Sequence, residues 1–264
     1  MDRKLLEKLT LALVLLQAST GLVFDLYRDQ DWVKATWFGN DLVTLLLVVP
    51  AYYLSLTRKG FAGSFLHFGC LGYVTYNYAF YLFGASLNIQ FPLYVAIFIM
   101  SIVNMASGVG SASIDGLYKR FDAGKPNKLT AAIYLFIGAG LGLVWLLFWF
   151  LYVFTGKALP VAPDQFRLVA AMDLIFIVPL FIYSAVGLLR KKPAGYAFGA
   201  MIGIHGGLYL LVLFLNSLLL SIKSGTPGET PVWGTLLVIE AIGAARLAGN
   251  RLRKQGDGET GDPH

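Results

Sequence analysis

The sequence has few charged residues, a single cysteine and only three histidines. Lys, Arg, Asp and Glu together make up 14% of the 264 residues, whereas apolar residues make up 57%, and the mean hydropathy is +0.66. So few charges cannot cover the surface of a water-soluble protein of this length. The one cysteine, Cys70, excludes an intrachain disulfide. The composition therefore predicts an integral membrane protein.

The sequence also lacks the short motifs of common enzyme sites. No HExxH, CxxC, GxSxG or Walker pattern occurs, so the familiar hydrolase and ATPase signatures are absent. The formal net charge of +6 needs no nucleic-acid partner, because basic loops beside anionic lipid explain it. We lean towards a protein that is not an enzyme, and the sequence assigns it no cofactor.

Long apolar stretches are abundant. The hydrocarbon core of a bilayer is about 30 Å thick and takes about 20 helical residues to cross. Eight stretches meet this need, at residues 9–24, 41–57, 61–86, 91–114, 129–155, 168–189, 194–222 and 232–250. We therefore expect an all-α bundle of eight transmembrane helices. The first stretch also resembles a secretory signal, whose removal would leave seven spans.

Basic residues fall mainly on one side of this predicted bundle. Alternate loops and the two ends of the chain hold 16 of the 21 Lys and Arg residues. These are Arg3, Lys4, Lys8, Arg58, Lys59, Lys119, Arg120, Lys125, Lys128, Arg190, Lys191, Lys192, Arg246, Arg251, Arg253 and Lys254. Basic residues in short loops stay in the cytoplasm. The pattern predicts that both termini are cytoplasmic.

The two halves of the chain are similar to each other. A shift of 132 residues aligns Asp41 with Asp173 and Arg58 with Arg190, and gives seven identities in 23 positions. Because each half has an even number of spans, the two would be parallel repeats related by an axis along the membrane normal. We expect four-helix halves at 1–125 and 126–250. Residues 251–264 are Gly-rich and charged, which predicts a disordered cytoplasmic tail.

The seventh span has two different faces. Gly195, Gly199, Gly203 and Gly207 recur every four residues and form a face on which helices can approach closely. His205 lies about 200° away from that face. We expect the glycine face to pack within one chain, although a seam between two copies also fits, which leaves a homo-oligomer open.

His205 and Glu240 are ionisable residues in the last two spans. At 1.5 Å per residue, His205 in "GIHGG" lies about 16 Å above the inner end of its span, and Glu240 in "LVIEAIG" lies about 18 Å above the inner end of its own. Consecutive helices usually pack together. We therefore expect an imidazole–carboxylate contact near the midplane, with Glu240 as a carrier of protons.

Two aspartates occur in corresponding spans. Asp41 follows "FGN" at the predicted start of span two, where a carboxylate can cap free backbone amides. Asp173 in "AAMDLIFIVPLF" lies about 9 Å inside the membrane, where a charge needs a partner, water or a proton. Asp173 could therefore do the same capping work, form a buried structural pair, or line a polar path.

Span three carries a stripe of polar residues. His67 lies near the inner end, level with Asn104 on the next span, and Asn77 and Tyr81 lie further along the same face. Such a stripe does not belong against lipid. It is either a core network of hydrogen bonds between helices or the lining of a pocket.

Two stretches carry a resemblance to known proteins. The segments "YNYAFYLFGASLN" at 76–88 and "RKKPAGYAFGAM" at 190–201 resemble passages in bacterial multi-pass membrane proteins that have no assigned function. The resemblance implies a bacterial origin, the cytoplasmic membrane and the eight-span organisation. It supplies no substrate and no functional residue.

Three hypotheses about function follow. The first is a transporter or channel, in which an inward-facing cavity between the halves admits a proton, an ion or a small solute, Glu240 and His205 exchange protons, and Asp173 coordinates from the outer side. The second is a membrane enzyme, redox protein or sensor that binds a lipid, quinone or haem, with a pocket lined by His67, Asn77, Tyr81 and Tyr76. The third is a structural membrane subunit. In all three the lipid bilayer is a partner.

Overall fold

The computed structural model describes residues 2–24, 26–29, 31–58, 61–109 and 127–256, and within these ranges the chain is helical with no β-strand. The described residues form eight long helices. They are α1 (Arg3–Phe24), α2 (31–57), α3 (Phe61–Gly84), α4 (Phe91–Val109), α5 (Lys128–Thr155), α6 (163–189), α7 (Pro193–Ser224) and α8 (Thr230–Gly256). Each of the eight predicted spans corresponds to one of them.

Seven of the eight helices are long and apolar enough to cross a membrane, which identifies the chain as a multi-pass membrane protein. The exception is α3, which does not meet the criterion for a spanning helix and carries four tyrosines, an asparagine and a histidine. Most of α3 is buried between α2, α4, α6 and α7, so its polar residues face other helices. By contrast α5 presents large apolar side chains outward, such as Leu143 and Phe154.

Several helix boundaries differ from the predicted ones. α2 begins at Asp31 and α6 at Pro163, earlier than the predicted 41 and 168, because their first turns are too polar for a hydropathy criterion. α8 continues through Gly256, so residues 251–256 of the predicted tail are helical. Residues 257–264 and the predicted boundary between the halves at 125/126 lie outside the described residues.

α2 and α6 share an irregularity. Each contains one π-helical segment, Thr44–Val48 in α2 and Asp173–Ile177 in α6, and each segment is followed directly by Val-Pro. A proline inside a helix lacks the N–H group that would bond to the carbonyl four residues back, and the π turn accommodates this loss. Pro50 and Pro179 are 129 positions apart, whereas the sequence identities gave 132.

The helices pack in two groups of four. In the first group, α1 and α3 each contact α2 and α4; in the second, α5 and α7 each contact α6 and α8. The groups meet through α3 against α7, α2 against α7, and α3 against α6. α1 is tied into the first group by a hydrogen bond from Asn104 Nδ2 on α4 to Thr10 Oγ1, at 2.8 Å.

The glycine face of α7 packs within the chain, as predicted. Gly199 and Gly203 lie against Leu247 and Ala244 of α8. Near the start of α7, Gly195 meets the backbone of Gly187 in α6, and any side chain at either position would collide with the other backbone. These glycines let α7 approach its neighbours without the space that a Cβ atom requires.

We expect Gly195→Ala to lower the free energy of unfolding by about 1–3 kcal/mol, because the added methyl group must displace the backbone of α6. Thermal unfolding of the purified protein in detergent measures the change. Gly140→Ala on α5 is the matched control, since a Cβ at Gly140 meets no atom within 4 Å. Equal stability of the two variants would contradict the packing described for Gly195.

Candidate functional site

A cavity of about 220 Å³ lies between the two groups of helices. We call it the vestibule. α2, α3, α6 and α7 all contribute to its wall. Residues near its mouth, such as Val161 and Thr36, are exposed or partly exposed, whereas Tyr76 and Tyr209 on its floor are buried. The vestibule therefore opens at one end of the bundle and is closed towards the middle.

The mouth lies where α2 and α6 begin and where α3 and α7 end. This is the end of the bundle with fewer basic residues, whereas the cavity was predicted to open at the end with more of them. At the other end α3 and α7 are in close contact. Gly69 packs against Ile204, and Gly72 packs against the His205 ring. The small residues of α3 there leave no room for a second opening between the two helices.

A chain of asparagine side chains joins three helices at the vestibule. Asn40 Nδ2 on α2 donates to Asn77 Oδ1 on α3 at 3.1 Å, and Asn216 Nδ2 on α7 donates to Asn40 Oδ1 at 3.2 Å. All three residues line the cavity. Two acceptors in the lining, Asn216 Oδ1 and Gln165 Oε1, have no hydrogen-bond partner in the structure. Both oxygens are closed off from the cavity, and Asn216 Oδ1 packs against Gly39 of α2.

Asp173 lies fully buried beside the vestibule floor. Tyr76 Oη donates to its Oδ1 atom at 2.7 Å. Tyr209 Oη and Trp145 Nε1 each donate to its Oδ2 atom at 2.9 Å. Three donors replace the water that the carboxylate loses on burial. Asp173 therefore caps no helix, and it links α6 to α3, α5 and α7.

Asp41 has a matching environment in the first group of helices. Tyr27 Oη donates to its Oδ2 atom at 2.5 Å, and Tyr81 Oη donates to Oδ1 at 2.8 Å. Gln17 Nε2 on α1 donates to Oδ1 at 3.2 Å. The predicted capping role of Asp41 is wrong, because α2 begins at Asp31 and Asp41 lies well inside the helix.

The predicted contact between His205 and Glu240 is not formed. His205 faces α3, where its Nδ1 atom lies over Gly72 and its ring contacts Tyr76 at 5.8 Å between centroids. Glu240 faces the opposite side of α7 and packs beside Gly207. The two residues are level but separated by the body of α7, because positions 205 and 207 differ by about 200° around the helix.

Glu240 is nevertheless buried, and its Oε1 atom has no hydrogen-bond partner. It differs in this from Asp41 and Asp173, both of whose oxygens accept hydrogen bonds. Among the described residues no group of three or more His, Cys, Asp and Glu side chains is placed to hold a metal ion.

Comparisons with known proteins leave the family open. No family model, no curated protein and no solved structure matches this chain. The candidate site therefore has to be judged from its own geometry.

His67 and Asn104 lie away from the vestibule. His67 Nδ1 is 3.2 Å from Ser55 Oγ, and its Nε2 atom is 3.6 Å from Glu7 Oε1, which Arg3 Nε contacts at 2.9 Å. Asn104 joins α4 to α1. Both residues therefore connect helices of the first group near the beginning of α1.

The four residues of the predicted ligand pocket on α3 do not lie together in the structure. Tyr76 and Asn77 line the vestibule, whereas Tyr81 bonds to Asp41 and His67 bonds to Ser55. Several residues that complete the site were not predicted from the sequence, namely Gln17, Trp37, Asn40, Trp145 and Gln165. Gln17 and Asn40 were detectable as polar residues within or beside apolar stretches. Trp145 was not, because it lies in a run of aromatic and apolar residues typical of lipid-facing helices.

We expect Tyr81→Phe to lower the free energy of unfolding by about 1.5–3 kcal/mol, because it removes one donor from a buried carboxylate. Chemical or thermal unfolding in detergent measures this loss. Tyr183→Phe is the control, since the Tyr183 ring is 52% exposed and rests on Phe198. Unchanged stability of the Tyr81 variant would contradict the role of the hydrogen bond to Asp41.

Proposed function

We propose that this protein is a transporter of a small solute in the bacterial cytoplasmic membrane and that the vestibule is its solute site. The observation that carries the proposal is a cavity between two groups of helices, open at one end and closed by helix packing at the other. Solute sites of many transporters lie at the interface between repeats, near the middle of the membrane.

The proposal includes an internal repeat of two parallel four-helix halves. It is supported by the same packing order in both groups, by one π turn before a Val-Pro pair in α2 and in α6, and by one aspartate in each half that accepts three hydrogen bonds. In the first half the donors are two tyrosines and a glutamine; in the second they are two tyrosines and a tryptophan.

In the proposed orientation both termini are cytoplasmic and the vestibule faces outward. The distribution of basic residues supports it, because the loops at the mouth of the vestibule carry few of them. α3 is then the eighth membrane crossing. Its 24 residues span about 36 Å as a helix, enough for the hydrocarbon core. Its low hydropathy is acceptable because neighbouring helices cover it.

Transport requires a second conformation in which the vestibule opens inward. We propose that the halves rock about the α3–α7 contact, so that Gly69 and Gly72 separate from Ile204 and His205 while the outer mouth closes. The π turns that precede Pro50 and Pro179 supply points at which α2 and α6 can bend, since a π turn and a proline both weaken the regular hydrogen-bond ladder.

Glu240 is the proposed proton carrier. Its Oε1 atom has no donor to stabilise an ionised carboxylate, whereas the oxygens of Asp41 and Asp173 are occupied by donors. Since His205 faces away from it, the proton must reach Glu240 by another route. We propose that Asp41 and Asp173 are fixed anchors and that Glu240 alone changes its protonation during transport.

An apolar crevice favours a second candidate function. It has a volume of about 700 Å³, lies between α5, α6, α7 and α8, and is lined mostly by apolar residues such as Val144, Phe181 and Leu236. A lipid or quinone would fit such a site, as expected of a membrane enzyme or sensor. A specific apolar molecule in solvent extracts of the purified protein would favour this alternative, whereas only bulk membrane lipid would argue against it.

Cysteine labelling tests the orientation and the vestibule together. Cys70 is fully buried, so its replacement by Ala gives a background without thiols. We expect Thr36→Cys at the mouth to react with a membrane-impermeant maleimide in intact cells. Arg58→Cys, in the loop after α2, should react only after permeabilisation. The reverse pattern would contradict the orientation, and an unreactive Cys at position 36 would contradict an open vestibule.

A carbodiimide tests the role of Glu240. Dicyclohexylcarbodiimide is an apolar reagent that attacks protonated carboxyl groups, so we expect it to modify Glu240 before Asp41 or Asp173. Mass spectrometry of peptides from the treated protein locates the adduct, and Glu240→Gln is the control that should remove it. An adduct that forms first on Asp173 would contradict the proposal that Glu240 alone changes its protonation.

A further inference from the structure

We infer that the vestibule selects a small organic cation. This inference rests on the proposed function and names the class of solute. The observation behind it is that the aromatic wall of the cavity is connected by hydrogen bonds to buried or partly buried carboxylates, while no basic residue shares that wall.

The wall of the vestibule is rich in aromatic rings. Trp37, Tyr73, Tyr76, Phe80 and Tyr209 all line it. No Asp, Glu, Lys, Arg or His lines the part of the cavity that the structure describes. A fixed ionic partner for the solute is therefore absent from this lining, and charge recognition depends on the rings and on the groups behind them.

Three of these rings donate their polar hydrogen to a carboxylate outside the cavity. Trp37 Nε1 donates to Asp29 Oδ2 at 2.9 Å. Tyr76 and Tyr209 donate to Asp173 at 2.7 and 2.9 Å. A hydrogen bond to an anion shifts electron density back towards the ring and makes its face more negative. Aromatic faces of this kind attract ammonium groups, which is the usual basis of quaternary ammonium recognition.

Asp41 adds to the negative potential on the side of the first half. Its donor Tyr81 lies against Trp37, with ring centroids 4.8 Å apart. Asp41 and Asp173 thus stand behind different rings of the vestibule wall. Charges in a low-dielectric interior act over longer distances than in water. A cation in the vestibule would interact favourably with both carboxylates.

No Lys or Arg among the described residues is buried in the bundle. Lys34 on α2, next to the lining residue Val33, is half-buried. Arg167 follows the lining residue Gln165 closely in sequence, but its side chain is 81% exposed and lies 3.3 Å from Asp164 Oδ1. The interior is therefore complementary to a positive charge and unsuited to an anion.

The volume of the vestibule, about 220 Å³, limits the solute to a small molecule. A methylated ammonium ion is a small organic cation of this class, and it has no acidic group that the carboxylates behind the wall would repel.

Choline and its uncharged isostere 3,3-dimethyl-1-butanol separate charge from shape. We expect choline to bind saturably to the full-length protein in nanodiscs, measured by calorimetry at constant ionic strength. The alcohol has the same hydroxyl and almost the same volume, so its affinity should be weaker by about tenfold if cation–π attraction dominates. Acetate, a small anion, should not bind.

Two ring-preserving variants test the connection to the carboxylates. Tyr209→Phe and Tyr76→Phe keep the aromatic ring in the wall and each remove one hydrogen bond to Asp173. Each should weaken choline binding by about three- to tenfold and leave the affinity for the alcohol unchanged. Tyr183 is exposed near the other end of α6, so Tyr183→Phe should change neither of the two affinities. Thermal unfolding of each variant confirms that it remains folded.

The outcomes separate this inference from the proposed function. Equal affinity for choline and the alcohol would overturn the inference and leave a site for neutral solutes. Absence of choline binding to a protein whose Thr36→Cys variant is labelled from outside would also overturn it. Choline binding without uptake of labelled choline into proteoliposomes, across an imposed proton gradient of either direction, would support the inference and contradict transport.

Discussion

Two carboxylates buried without a basic partner impose the main constraint on this structure. A charge in the hydrocarbon region is tolerated only when other groups replace its hydration. Asp41 and Asp173 meet this requirement with three donors each, taken from neighbouring helices or the loop beside them. Because donors on different helices must converge on one point, each aspartate fixes the relative positions of the helices around it. The tyrosines that serve Asp173 also form the vestibule floor, so the same interactions shape the cavity.

The distribution of polarity follows from the position of each helix. α3 and α7 pack against each other between the two groups, and α3 is too polar to be identified as a membrane span by composition. α5 lies at the outside and is strongly apolar. In a soluble protein a polar stripe marks the solvent-exposed side of a helix, whereas in a membrane protein it marks the side that faces other helices. The asparagine chain through Asn40, Asn77 and Asn216 is an example of this rule.

Much of the architecture could be predicted from the sequence, but the pairing of polar groups could not. Hydropathy located all eight helices, and the 200° separation on α7 between His205 and the glycine face was correct. The His205–Glu240 contact failed because equal height does not bring two side chains together when a helix lies between them. Asp41 was misplaced because the first turns of α2 are polar and hydropathy does not detect them. Partners such as Trp145 carry no signal in a single sequence.

The sequence by itself determined that the chain is an apolar, helical, multi-pass membrane protein with a few polar residues in its interior, because helix length and hydrophobicity are local properties of a segment. Only the tertiary structure decided which polar groups meet, where the vestibule lies and which carboxyl group is left without a partner. These features depend on the rotation and packing of helices about one another. Rotation is set by contacts between residues far apart in the chain, such as Tyr76 with Asp173 and Asn40 with Asn216.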